Sequence, residues 1–198
     1  MLREAYAEVA GRPYARPEPR AGVETADSLN NRAASLLDLG REKEAEELWT
    51  NALALSPQHL ESTVNRLCLD WSRAALSDDE IRARIDEATK GERSSPRAAH
   101  LRGRVLLALG DFDGAAASLG EAARLATPAA DLVSDLAVAE CARARDSRES
   151  STWTQVGEHF ARALEAGEAD PALHAGQALA LLRLGKTEEA QRLYESAR

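Results

Sequence analysis

Aromatic side chains are scarce in this chain, with 2 Phe, 3 Tyr and 3 Trp in 198 residues. Valine and isoleucine are sparse as well, which argues against a large sheet. Cysteine is limited to Cys68 and Cys141. Their separation fits no metal-ligand spacing, so reduced thiols in a cytoplasmic protein are expected. No run of about 18 apolar residues exists to span a bilayer, and residues 1–22 lack the apolar central segment of a secretory signal. Excess basic charge is missing too. The formal net charge is −8 at pH 7, which excludes the basic footprint that nucleic acid needs and a basic membrane-surface helix.

What is present is alanine, leucine, arginine and glutamate, all good helix formers. They recur with a period. Residues 29–57 read LNNRAASLLDLGREKEAEELWTNALALSP, with Leu29, Ala33, Leu36 and Leu37 on one helical face. Gly40 stops that helix, because glycine tolerates the left-handed backbone of a helix end. Ala45, Leu48, Trp49, Ala52 and Leu53 then stripe a second helix. Residues 96–128 repeat the pattern: Gly103 stands at the place of Ala33, Gly110 at that of Gly40, and Ala115, Leu119 and Ala122 follow in step. A third copy runs from Pro171 through Ala178, Gly185, Ala190 and Tyr194. The intervals between the three stop glycines are 70 and 75 residues, each near two periods of 34, so a weaker copy should fill each gap. One is legible from Leu60 to Ala88 through Leu67, Ile81 and Ile85, with the motif SDDE starting its second helix. The other runs from Asp131 through Leu132, Leu136 and Ala139 to Val156, Phe160 and Ala163, across a long loop at Asp146–Thr152.

Residues 26–198 therefore resemble the tetratricopeptide repeat family. The resemblance implies an all-α fold, a right-handed superhelix of about five helix pairs with approximate bounds 26–59, 60–95, 96–128, 129–170 and 171–198. An ordinary helical bundle is the alternative, but a bundle does not need the same glycine and alanines at a fixed period. One pair cannot bury its own apolar face and borrows its neighbours. Stacked pairs leave a concave wall lined by first helices, suited to a peptide or a partner helix.

Residues 1–25 stand outside the repeat. Leu2 to Val9 reads as a short helix, and GRPYARPEPR as an extended stretch fixed by Pro13, Pro17 and Pro19. It serves either as a strap or linker or as a proline-rich ligand. AYAEVAGRPYARPEP, the run from Ala26 to Leu53 and SPQHLESTVNR together resemble the repeat region that follows the kinase domain of certain bacterial serine/threonine kinases. Kinase motifs themselves are lacking: no Gly-rich loop, HRD or DFG occurs. This resemblance implies a regulatory module excised from a larger signalling protein; without it, the chain reads as a free-standing adaptor.

Chemistry is hard to find. His59, His100, His159 and His174 have no i, i+4 pairing and no HExxH; they read as surface or wall polar groups, with His59 exposed. Glu42, Glu44, Glu46 and Glu47 read as solubilising charge. Gly110 and Gly114 flank Phe112 in a helix–helix turn and form no phosphate loop, and GxSxG is absent. No catalytic activity, cofactor or metal is expected. Helical spacing instead predicts a partner-binding wall that includes Asn30, Asn31 and Asp38 from the first repeat. It adds Asn65 and Cys68 from the second, and Arg97, His100 and Arg104 from the third. Some tetratricopeptide domains bind a C-terminal carboxylate through a Lys, Asn and Arg clamp; Asn65 and Arg97 match it, while Asn30, Ala34 and Leu101 depart from it. Asparagines here either bond a peptide backbone or bridge neighbouring repeats. Leu179 and Leu182 on the last first-helix predict a C-terminal face that meets another copy, as in a homodimer, or a continuing chain. Two functions follow: a scaffold for a peptide or partner domain, or a structural spacer or dimerisation element.

Overall fold

The computed structural model describes residues 24–92, 94–127, 129–166 and 171–196, so most of the expected N-terminal strap lies outside the described residues. Among these, ten α-helices and no strands occur: α1 (Ala26–Asp38), α2 (Glu42–Leu55), α3 (Leu60–Ser72), α4 (Asp78–Thr89), α5 (Pro96–Ala108), α6 (Phe112–Leu125), α7 (Ala130–Ala144), α8 (Ser150–Glu165), α9 (Pro171–Arg183) and α10 (Thr187–Ser196). A single 3-10 turn, Lys90–Glu92, follows α4. The chain forms two units, divided between Leu55 and Ser56.

Four of the first helices, α1, α3, α5 and α9, stop by one rule. Gly40, Gly110 and Gly185 adopt φ of 73°, 76° and 76°. At each, the next residue's N–H reaches back to close the helix: Arg41 to the Leu36 carbonyl at 2.8 Å, Asp111 to Leu106 at 2.9 Å and Lys186 to Leu181 at 2.9 Å. This is the Schellman closure, which needs a left-handed residue. Helix α3 makes the same closure, Ala75 N–H to the Asp70 carbonyl at 2.9 Å. Its left-handed residue is Ala74, at φ 56°, one 34-residue period after Gly40. A Cβ there costs roughly 1–2 kcal/mol. Ala74→Gly is expected to stabilise the protein by about 1 kcal/mol after the entropy gained by the unfolded chain. Urea melts of the two proteins check this, and a lower midpoint for the glycine variant would contradict it.

Side chains cap several of the helix starts, though not those of α7 and α8. Ser77 and Glu80 form a reciprocal box at α4. His59, expected at the surface, instead caps α3: its Nδ1 accepts from Ser62 N–H at 3.2 Å, and its side chain is only 11% exposed. At α6 the cap is Asp111, which accepts from Gly114 N–H at 2.9 Å and from Arg82 of α4 at 2.5 Å. The Gly114 N–H and then Arg82 hold the Asp111 carboxyl below its ordinary pKa. A depressed carboxylate stabilises the fold fully above its unfolded pKa, and that contribution fades as pH falls through the folded value. Asp111→Ala should therefore cost about 1 kcal/mol at neutral pH. The difference from wild type should shrink under acid, which paired melts across the carboxylate range would test; a difference that grew under acid would contradict the assignment.

In the first unit, α1 and α2 meet at Ala33, Ala45 and Ala52, all fully buried, beside Leu29 and Trp49. The second unit has three apolar clusters, each built from one pair and the first helix of the next. Val64 and Leu67 of α3, Ile81 and Ile85 of α4, and Leu101 and Val105 of α5 form one. Leu106 of α5, Leu119 of α6 and Leu132 of α7 anchor another. Trp153 and Phe160 of α8, with Ala137 of α7 and Leu173 of α9, form the third. Each cluster thus joins nearest neighbours only, as a repeat stack requires.

Small residues permit the close crossings. A Cβ on Gly103 would lie 2.6 Å from Leu119 Cγ, and Ala33 at the same place of the first pair is fully buried. The loop expected over Asp146–Thr152 is shorter, because α8 begins at Ser150. Ser147 Oγ accepts from Glu149 N–H at 3.2 Å, and the Trp153 indole donates to the Ser147 carbonyl at 3.0 Å, which winds the chain into helix earlier.

Candidate functional site

In the second unit the first helices form a layer of their own. Helix α3 touches α5, α5 touches α7, and α7 touches α9. No comparable contact joins α4, α6 and α8 among the described residues. A stack whose odd helices approach while its even helices spread is curved toward the odd side. The faces of α3, α5, α7 and α9 turned from their partners are therefore the inner wall.

The period orders that wall into columns. Six residues before the left-handed closing residue stand Cys68, Arg104 and Leu179, and Val138 holds the same place in α7. The α7 member is placed by Leu132 and Ala139, which pack one period after Ala98 and Val105. Three residues further on stand Trp71, Leu107, Cys141 and Leu182. Apart from Arg104, both columns are apolar or thiol. Val138, Leu179 and Leu182 are 41%, 39% and 51% exposed, whereas Trp71, Leu107 and Cys141 are half-buried.

Charges on the wall pair across consecutive first helices. Arg97 of α5 donates to Glu61 of α3 at 2.8 Å. His100 Nε2 lies 2.8 Å from an Asp135 carboxylate oxygen of α7, and Arg104 Nε lies 3.5 Å from that oxygen. Partners of this kind sit about one repeat apart, so the ladder ties successive pairs together. Burial alone would raise the Glu61 pKa. The hydrogen bond from Arg97, with smaller help from the backbone and His59, brings it below its ordinary value. Burial pushes both thiols up, Cys68 against an opposing Arg104 and Cys141 against an opposing Arg183.

The sequence-derived residues fall into three groups. Cys68, Arg97 and Arg104 lie on the inner wall. Asn30 and His100 are on first helices but 8% and 5% exposed. Asn30 Oδ1 accepts from the Trp49 indole at 3.1 Å, and His100 is engaged by Asp135, so both hold structure in place. Asn31 is exposed. It occupies the register of Leu101, which packs on the preceding pair beside Ile81 and Ile85. Ser28, Asn31 and Ser35 therefore give α1 a polar flank where α5 has Ala98, Leu101 and Val105. Asn65 shares that register and is half-buried. Asp38 is exposed at the end of α1. Sequence reasoning missed Asp135. Its one signal is a spacing of 35 residues from His100, which carries no chemical mark of its own.

Comparison with known proteins agrees with the helix-pair fold. The tetratricopeptide repeat family model matches residues 96–121 and 171–196, the pairs α5–α6 and α9–α10. Among solved structures, MamA from Desulfovibrio magneticus RS-1 is similar at 15% identity and a TM-score of 0.61, over 89% of this chain and 95% of that one. Yeast Tom70 is similar at 16% identity and a TM-score of 0.67, over 87% of this chain and 36% of that one. YrrB, described as a TPR protein with an unusual peptide-binding site, is similar at 14% identity and a TM-score of 0.55, over 98% of this chain and 89% of that one. No curated protein matches the sequence. At these identities the likeness carries the fold: an all-α solenoid of tetratricopeptide helix pairs.

Proposed function

We propose that the chain is a non-catalytic scaffold that holds a peptide or partner domain against the inner wall of α3, α5, α7 and α9. One observation carries this reading. Among the described residues, the like helices that touch from one pair to the next are the first helices, whose outward columns bear half-exposed apolar and ionic side chains, and this makes one continuous surface. Cys68, Arg97 and Arg104 lie within that surface, with His100 held behind them by Asp135. The likeness of residues 1–70 to the region after bacterial serine/threonine kinase domains supports a regulatory module of a larger signalling protein. A protein partner is favoured over nucleic acid by the net charge of −8. No helix among the described residues is long and apolar enough to cross a membrane. The two free thiols support a cytoplasmic setting.

Those thiols also test the reading, because both stand in wall columns. A bound partner should slow the alkylation of Cys68 and Cys141 by iodoacetamide severalfold. Unchanged alkylation in a saturated complex would end it.

A second reading, a spacer or homodimer through the last pair, has one observation in its favour. Tyr194 stands nine residues after Gly185, as Leu119 stands after Gly110. Leu119 is fully buried, while Tyr194 is 53% exposed. Concentration-dependent sedimentation that Tyr194→Lys abolishes would support this reading, and a wild-type monomer at every concentration would end it.

A further inference from the structure

The wall offers a ligand two different kinds of contact. Its charges are already matched within the fold: Arg97 with Glu61, Arg104 with the Asp135 carboxylate that also meets His100 Nε2, and Arg143 with Glu140 at 2.8 Å. An ionic group on a partner would have to displace one of these internal partners, and an exposed pair gains little when re-made. The apolar positions differ, since Val138, Leu179 and Leu182 have only water to give up, and burying them is favourable. They are also the exposed large apolar residues placed within first helices. Leu39, Leu55 and Leu125 sit at helix ends, and Tyr194 belongs to α10.

The shape of the apolar band narrows the occupant further. The two columns run side by side, three residues apart on each first helix, or about 4.5 Å along it. An extended strand presents one row of side chains to a surface. An amphipathic helix presents a stripe two residues wide, with i, i+3, i+4 and i+7 on one face. Its i to i+7 rise of about 10.5 Å is close to the 8–10 Å that separates packed helices. A helix laid across α5, α7 and α9 thus repeats its apolar stripe once per first helix.

We infer that the partner segment is an amphipathic α-helix seated on the inner wall by aliphatic side chains over Val138, Leu179 and Leu182, with the charge ladder as a neutral border. This inference rests on the inner-wall reading above and adds the chemistry of its occupant. Complexes of this kind form with little dependence on salt, in contrast to charge-led recognition.

Two synthetic peptides serve as probes. One is a helix former with leucine at i, i+3, i+4 and i+7 and balanced Glu and Lys elsewhere; the other is an acidic extended peptide with a free C-terminal carboxylate. Fluorescence anisotropy is read against wild type, Val138→Asp/Leu179→Asp and Arg97→Gln/Arg104→Gln, with Val138→Ser/Leu179→Ser as a milder pair and circular dichroism confirming each fold. The helical probe is expected to bind wild type, to shield both thiols and to lose at least about tenfold in affinity in the aspartate pair, with a smaller loss in the serine pair. It should change less than about threefold between low and high salt. The inference is overturned if the helical probe fails to bind, if the aspartate pair leaves its affinity unchanged, or if the acidic probe binds better and depends on Arg97 and Arg104. A probe that shields the thiols yet ignores Val138 and Leu179 overturns this inference alone. One that binds and leaves both thiols reactive overturns the inner-wall reading as well.

Discussion

Trp153→Ala is expected to lower the stability of the second unit by about 3–5 kcal/mol, the range for deleting a buried large aromatic. The indole is 2% exposed and packs in the cluster that joins α7, α8 and α9. Three losses combine. A cavity opens among Ala137, Phe160 and Leu173. The Ser147 carbonyl loses the indole donor at 3.0 Å, which lets the start of α8 fray. The Arg183 guanidinium, 5.1 Å from the ring centroid, loses its cation–π partner. Repeat stacks are held by nearest-neighbour terms, so the damage should be local. Hydrogen exchange should accelerate in α8, α9 and α10 well before α3 and α4. Trp153→Phe keeps most of the volume and should lose about 1 kcal/mol, the worth of one hydrogen bond. A uniform loss across all helices, or a change under about 1 kcal/mol for the alanine variant, would contradict the account.

Gly176→Ala should be destabilising by about 1–3 kcal/mol, the cost of overpacking a closed core, although alanine is the better helix former. A Cβ at this position would lie 2.3 Å from Phe160 Cζ and 2.4 Å from Cε1. Phe160 is itself 2% exposed, so the ring has nowhere to retreat. Gly120 in α6 is the control. Nothing lies within 4 Å of its added Cβ, so Gly120→Ala should stabilise by about 0.5–1 kcal/mol. In a Phe160→Leu background the penalty at Gly176 should shrink, with a coupling of at least about 0.5 kcal/mol in a double-mutant cycle. Additive effects would mean that the two residues do not meet.

Periodicity made most of the architecture legible. Helix stops at Gly40, Gly110 and Gly185, the small residues Ala33 and Gly103, and the pairing of helices follow from local sequence, because each reports a backbone or packing need of its own repeat. Other features depend on how one repeat sits on the next. Gly176 looks like any helical glycine until Phe160 is placed against it. Asp135 looks like any surface carboxylate until His100 and Arg104 meet it across the wall. Trp153 directly follows the loop expected over Asp146–Thr152, and the sequence stripe of its helix begins only at Val156. Asn30 and Asn31 are adjacent and chemically identical, yet one is tied to Trp49 and the other belongs to the polar flank of α1. One step around a helix, about 100°, makes that difference.

The inner wall is the central claim, and position-resolved photocrosslinking tests it most directly. Benzophenone side chains placed at Arg104 and Val138 on first helices, and at Ala117 and Gln155 on second helices, all occupy exposed sites. The account predicts that a bound partner crosslinks from 104 and 138 and not from 117 or 155. Crosslinks confined to 117 and 155 would contradict it.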